Sequence, residues 1–335
     1  IFKSRKMQNY KYDDNPDLKN HAIISGKAAA EGMILLKNNE TLPMNNLVNI
    51  ALIGATSYDF ISGGTGSGDV DEAYTVALDQ ALKDKGFILN KIALNHYEKK
   101  IQNNPNKKQK GGGAIETAMT IMNPPIPMDL EYPIELIEKT SKTADIAIVT
   151  IGRNSGETAD RKVEGDFLLS KTEKEMILST CKVYHSLGKK VVVILNIGGV
   201  IETASWKDLP DAILLAWQGG QEGGNSVVDI LTGKINPSGK LPMTFPNDIN
   251  DHKSSLNFPM DGEQLNLSDV ISGLISEEKA EEEKIKNKDY TLYKEGIYVG
   301  YRHFDKNNIE VSYPFGYGLS YTDFEYSDLK IIKKT

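Results

Sequence analysis

Residues 154–167 read NSGETADRKVEGDF and follow the strand-like run ADIAIVTIG. Four acidic residues (Glu157, Asp160, Glu164, Asp166) stand beside two basic ones (Arg161, Lys162). Such a loop is either a solvated turn or the seat of a catalytic carboxylate, and the residue types alone allow both. Glu157 lies among small residues (Ser155, Gly156, Thr158), which lets its side chain project from a turn without crowding. A carboxyl group displayed in this way can donate or accept a proton if its surroundings keep it protonated near neutral pH. Asp160 and Arg161 are spaced to pair and brace the loop. Gly165-Asp166 would turn the chain towards Ser170.

Other chemistry-bearing residues have weaker patterns. The loop ISGGTGSGD places Gly64, Gly66 and Gly68 as G-x-G-x-G, without the third spacing of a dinucleotide fingerprint and without a closing G-K-[ST]. A loop needing positive φ angles is the simpler reading, and no nucleotide or other cofactor is expected. The five histidines (His21, His96, His185, His252, His303) are far apart, which gives a metal site little support. The single cysteine, Cys181, rules out an internal disulfide and falls in a helical pattern as a small core residue. Trp206 and Trp217 could stack on a ligand ring, but a helix for the first and a strand end for the second favour core packing. Gln218, Gln221 and Glu222 either line the same edge or cap the helix that follows.

The elements that must position these residues alternate. The spacing predicts a helix over 17–37, the buried strand VNIALIGA, and a helix over EAYTVALDQALKDKG closed by Gly86. Residues 98–131 are weakly patterned. A helix PIELIEKTSKTA, the strand DIAIVTIG and a helix opened by the capping box Ser170/Glu173 come next. The strand KKVVVILNIG, a short helix near ETASWKDL, the strand AILLAWQ and the helix GGNSVVDILTG complete the series. Strands and helices in alternation over 50–235 define an α/β fold, a mostly parallel sheet sandwiched between helices. The run SEEKAEEEKIKNKD reads as a solvated excursion, and the aromatic tail from Tyr298 as a β-rich extension. In an open parallel sheet the strand-to-helix loops share the carboxyl edge, so SGGTGSGD, NSGETADRKVEGD and QGGQEGG are expected to form one composite site.

The chain has 335 residues, 39% of them hydrophobic and 25% charged, enough for roughly two domains with a substantial core. A net charge of −7 argues against nucleic acid or an anionic membrane as partner. No apolar run approaches the roughly 18–20 residues that span a bilayer. The N-terminus lacks the build of a signal peptide, which leaves bacterial cytoplasm, periplasm and secretion all open.

The segments KAAAEGMILLKN, GGTGSGD, SGETADRKVEGDF, VVVILNIGGVIETASW, AWQGGQEGGNSVVDILTGKINPSGKLPMTFP and SYPFGYGLSYTDFEYSDL resemble glycoside hydrolases of family three. The resemblance covers about residues 17–330 and is most specific from Ala216 to Pro246. Members are mostly β-glucosidases and related exo-acting enzymes that pair a barrel with an α/β sandwich and often add a fibronectin-III-like domain. The resemblance implies that the barrel supplies a nucleophilic aspartate and a sandwich loop the general acid/base glutamate. That role carries over to Glu157 in Ser155-Gly156-Glu157, with Glu164 as rival. Thr158-Ala159 replaces the family's usual Gly-Tyr. Ser67 with Gly66 would approach the sugar; Arg161 is a candidate substrate contact, although a bracing role suits it better.

The barrel's S-D-W nucleophile motif is absent, since Ser268-Asp269-Val270 lacks the tryptophan. The resemblance therefore divides the chain into a connector from a barrel (1–16), the sandwich (17–258), a charged insertion (259–296) and a tail entering a fibronectin-III-like domain (297–335). It implies a retaining β-glucosidase acting on a β-glucoside or small β-linked oligosaccharide, with the chain inert without its barrel. Alternatives are a non-catalytic sugar-binding or scaffolding module, a β-xylosidase, an N-acetylglucosaminidase, or a nucleotide-dependent α/β enzyme. A matched Glu157 loop argues against the N-acetylglucosaminidase, whose proton donor tends to lie on the barrel.

Overall fold

Strand residues of this chain are apolar at successive positions because both faces of the sheet are covered. The computed structural model describes residues 14–65, 68, 70, 72–102, 127–154, 162–254, 293–323 and 325–331. Six strands form the main sheet: β1 (Ile34–Asn38), β2 (Asn49–Ile53), β3 (Ile88–Leu89), β4 (Ile146–Arg153), β5 (Lys190–Ile197) and β6 (Ala212–Leu215). Their order is β1-β6-β5-β4-β2-β3, parallel throughout except for β1, which runs antiparallel to β6.

The two-residue period of the strands sends alternate side chains to opposite faces. Ala51, Ile53, Ala147, Val149, Val191 and Val193 enter one core, with residues of α3 (Lys91–Gln102), α4 (Ile134–Ser141) and α5 (Lys171–Ser186). Ile50, Leu52, Ile146, Ile148, Val192 and Ile194 enter the other, with residues of α1 (Leu18–Gly32), α2 (Leu78–Asp84) and α6 (Gly223–Leu231). The expected mostly parallel sheet between helices is therefore present. Trp206 (2% exposed) joins the first core and donates its indole N–H to the Glu202 carbonyl at 2.8 Å. Cys181 is buried on α5, and burial pushes its thiol up to about 12, so it is an inert packing residue.

Several expected boundaries shift. The helix over 17–37 stops at Gly32, and Ile34–Asn38 is strand β1. Met33, Ile34, Leu35 and Leu36 are all buried, which needs cover on both sides rather than one helical stripe. The helix expected from residue 72 begins only at Leu78, because the Val76 N–H is tied to the Gln221 carbonyl at 2.9 Å. Helix α3, within a region that shows little pattern beyond residue 98, buries Ala93, Tyr97 and Ile101 at helical spacing. The segment ETASWKDL is not a helix but a set of turns, capped by Glu202, whose carboxylate accepts from Ser205 N–H (2.6 Å) and Oγ–H (2.8 Å).

The β-rich reading of the tail is corrected in part. Tyr301–Asn307 is a helix (α7), which buries His303 and Phe304. Strand β8 (Val311–Tyr313) pairs with β7 (Phe245–Pro246), and the Leu319 N–H donates to the Leu35 carbonyl at 2.8 Å, covering the free edge of β1. Tyr317 donates its hydroxyl to the Leu36 carbonyl and Tyr321 to that of Ile230. The YPFGYGLSY run thus straps the α/β body instead of leaving it, as its aromatic rings suggest. Among the described residues 325–331 no strand forms. Most of the charged insertion, including Ser268-Asp269-Val270, lies outside the described residues.

Candidate active site

The chain passes from β2 to β3 on one side of the sheet and then crosses back to β4 on the other. This reversal makes the carboxyl ends of β2 and β4 the topological switch point, where ligands of open α/β sheets gather. A small cavity opens there, lined by Gly54, Thr56, Asp129, Thr150, Gly152 and Glu173 among others. Gly54 has φ +100°, and a Cβ on it would fall 2.2 Å from the Thr150 carbonyl oxygen, so only glycine lets the two strand ends lie this close.

Side chains in the strand ends fasten the three expected loops to one another. Asn196, fully buried near the end of β5, accepts from the Ile61 N–H at 2.8 Å. Its amide donates to the Ile61 carbonyl at 2.9 Å and the Trp217 carbonyl at 2.7 Å, which joins the loops after β2 and β6. Gln218 donates to Asn154 Oδ1 at 3.3 Å, joining the loops after β6 and β4. The Gly220 N–H donates to the Ser62 carbonyl at 2.8 Å. A Cβ on Gly224 would sit 2.5 Å from the Val76 carbonyl oxygen and one on Gly223 2.6 Å from the Phe60 ring, so the second glycine pair of QGGQEGG is set by close packing on both. The described parts of the three loops therefore meet along one edge.

The residues read as lining or capping this edge act as braces. Glu222 accepts from the Tyr74 hydroxyl and, at 2.7 Å, from the Asn225 amide. That hydrogen bond raises the Tyr74 hydroxyl's pKa above its usual value. Trp217 is half-buried against the core beneath α3–α5, with φ +54°.

The acidic loop leaves β4 after Arg153, and its return leg is built in detail. A wide turn closes with Phe167 N–H to the Lys162 carbonyl (3.0 Å) and Leu168 N–H to the Val163 carbonyl (2.8 Å). Asp166 Oδ2 accepts from the Lys162 N–H at 3.1 Å, and Gly165 takes φ +71° in the turn, as the reading of Gly165-Asp166 requires. Glu164 stands on this turn with its side chain exposed. The turn then meets α5 through the capping box, with Ser170 Oγ accepting from Glu173 N–H at 3.1 Å and Glu173 Oε2 from Ser170 N–H at 2.9 Å.

Arg153 went unremarked in the sequence. It is 7% exposed and holds both oxygens of Glu173 at 2.6 Å. Its Nε–H donates to the Asp166 carbonyl at 2.8 Å and an Nη2–H reaches the Leu168 carbonyl at 3.4 Å. The signal was available: one cation ends an eight-residue strand that is otherwise uncharged and entirely buried. Glu173 lines the switch-point cavity, but its oxygens are committed to Arg153 and Ser170, so it is a support and not a proton donor.

Of the sequence-predicted site residues, Glu157, Arg161, Ser67 and Gly66 lie outside the described residues, as does Asp160; Glu164 alone is described. No group of three His, Cys, Asp or Glu residues suited to a metal ion occurs among the described residues. No described helix is long and apolar enough to cross a membrane.

Comparison with known proteins gives this edge a context. Residues 33–301 match the family model described as the glycosyl hydrolase family 3 C-terminal domain. The chain is 33% identical over 341 residues to beta-glucosidase A of Butyrivibrio fibrisolvens, covering 92% of this chain and 36% of that protein. It is 32% identical over 330 residues to thermostable beta-glucosidase B of Acetivibrio thermocellus, covering 98% of this chain and 36% of that protein. Among solved structures, beta-glucosidase 3B of Thermotoga neapolitana in complex with alpha-D-glucose superposes with a TM-score of 0.79 at 40% identity, covering 97% of this chain and 41% of that one. The chain thus spans a little over a third of the length of these relatives. The sheet order, the composite loop edge and the match over 33–301 lead to one conclusion: the chain belongs to glycosyl hydrolase family 3 and carries that family's C-terminal domain.

Proposed function

We propose that this chain is the α/β domain of a retaining exo-β-glycosidase, a β-glucosidase, and that Glu157 is its general acid/base. Its partner carboxylate, the nucleophile, belongs to a barrel domain of the same parent protein. The observation that carries this reading is the position of the Glu157 loop, which springs from β4 at the topological switch point with its return leg fastened to α5. The names of the relatives, beta-glucosidases at about a third identity, supply the substrate class.

In this mechanism the barrel aspartate attacks the anomeric carbon while Glu157 gives its proton to the departing glycosidic oxygen. Glu157 then removes a proton from the water that cleaves the glycosyl-enzyme bond, and the two carboxyl groups work roughly 5–5.5 Å apart. Substrate contact by Ser67 and Gly66 and the connector role of residues 1–16 belong to the same proposal. The buried end of β4 and the hydrogen-bonded turn over 162–168 flank residues 155–161 in the chain, which supports an acid carried on a loop with both flanks anchored.

The test is a leaving-group comparison in the barrel-containing enzyme. Glu157→Gln should lower kcat/KM by about 10²–10⁴-fold on alkyl β-glucosides, which need protonic assistance, and by far less on nitrophenyl β-glucoside. Equal losses on both substrates remove Glu157 from the role. If Glu164→Gln alone shows the selective loss, the acid moves to Glu164. Parallel assays with nitrophenyl β-xyloside decide the sugar.

A further inference from the structure

The buried cation at the end of β4 has more partners than the ion pair with Glu173 requires. Its guanidinium holds Glu173 bidentately, both contacts at 2.6 Å, and also donates to the main-chain carbonyls of Asp166 (2.8 Å) and Leu168 (3.4 Å). One side chain thus joins the point where the acidic loop departs, the turn where it returns, and the first turn of α5. The return turn is held from beneath as well, since the Phe167 carbonyl accepts from the Glu202 N–H at 2.8 Å. The Arg153 carbonyl itself accepts from the Gly198 N–H at 3.1 Å, fixing the departure point against β5. A planar fork with five donors serves these acceptors at once; a lysine ammonium could keep the charge but not the array.

We infer that Arg153 is a positioning residue for the proton donor, because it fastens the residues that flank the acidic loop, ending β4 itself and holding Asp166 and Leu168 on the return leg. This inference rests on the acid/base reading of the same loop and adds the device that places it. Arg153 is 7% exposed and its guanidinium is committed to protein acceptors. Its effect is on the geometry of proton transfer, so it should weigh on substrates that need the proton and spare those that do not. Misplacing a catalytic group by about an ångström costs up to roughly 10²-fold in rate.

The test uses Arg153→Lys, Glu173→Gln and Glu157→Gln in the barrel-containing enzyme, with kcat/KM on an alkyl and a nitrophenyl β-glucoside. Arg153→Lys should lose about 10–10²-fold on the alkyl glucoside and stay within about twofold on the nitrophenyl glucoside. Glu173→Gln, which keeps the side chain's shape, should show the same selectivity with a smaller loss. Hydrogen exchange gives a second reading that does not depend on activity. In Arg153→Lys the amides of Phe167 and Leu168 should exchange at least about tenfold faster, while those of Thr180 and Tyr184 in α5 stay protected.

Equal losses on both substrates, or none on either, overturn the positioning role, as does unchanged exchange at Phe167 and Leu168. If Arg153→Lys does not fold, Glu173→Gln decides by the same criteria. Glu157→Gln separates the two layers of the argument. Its indifference to the leaving group overturns the acid assignment and the positioning role built on it; selectivity in Glu157→Gln without selectivity in Arg153→Lys overturns the positioning role alone.

Discussion

At the amino ends of β5 and β6, Asp211 accepts from Lys190 (2.9 Å), His185 (2.8 Å) and the Val191 N–H (2.9 Å). At the carboxyl end of β4, Arg153 donates to Glu173 and to three main-chain carbonyls, those of Gly152, Asp166 and Leu168. Each cluster is centred on a buried charge, but what they fasten differs. Asp211 ties strand starts to a short preceding turn, with partners that reach solvent: the His185 and Lys190 side chains are 41% and 48% exposed. Arg153 ties the two ends of a long loop and has a partner only 12% exposed. The amino edge holds the sheet in register. The carboxyl edge fastens the described ends of its loops, and binding and catalysis gather on such loops.

The comparison can be broken by substitution. The largest change in stability is expected for Arg153→Met, which leaves Glu173 buried without its partner and should cost about 3–5 kcal/mol by urea denaturation. A cost below about 1 kcal/mol would mean the pair is solvated and the clamp weak. Asn196→Ala deprives the Ile61 N–H, the Ile61 carbonyl and the Trp217 carbonyl of partners, and should cost about 2–3 kcal/mol. Its distinguishing readout is faster exchange at Ile61 with β5 still protected.

Asp211→Asn should cost least, about 1 kcal/mol, because two of its three donors are half in water. It should also change the pH dependence. Burial opposes ionisation of Asp211, but the hydrogen bonds from Lys190, Val191 and His185 outweigh it and hold the carboxyl below its usual 3.8. A carboxylate whose folded pKa is depressed stabilises the fold above the usual value and loses that contribution as pH falls through the lowered one. Wild type should therefore lose more stability than Asp211→Asn between about pH 5 and 2. In the barrel-containing enzyme proposed above, activity should be unaffected by Asp211→Asn and reduced by Asn196→Ala, which is the sharpest form of the contrast between the edges.

The strands β2, β4, β5 and β6 were legible because apolar runs of this length, bounded by loops, suit strands buried on two faces. The Ser170/Glu173 capping box was legible because it is local. Strand β1 was not, since its helical neighbour continues into it without a break and only pairing with β6 makes Ile34–Asn38 extended. Helix α7 was missed for a similar reason: aromatic residues suit strands, and the burial of His303 and Phe304 decides otherwise.

By itself, the order of residues determined the α/β class, the shared edge of the three loops and the family, because these follow from periodicity and from segments quoted in sequence. Tertiary structure alone decided that β2 and β4 flank the switch point, that Asn196 fastens two loops and that Arg153 clamps a third. Those contacts join residues far apart in the chain, or depend on which backbone carbonyls face a guanidinium, and no local pattern encodes either. A buried cation at the end of an apolar strand announces that it must have partners; only the fold says which they are.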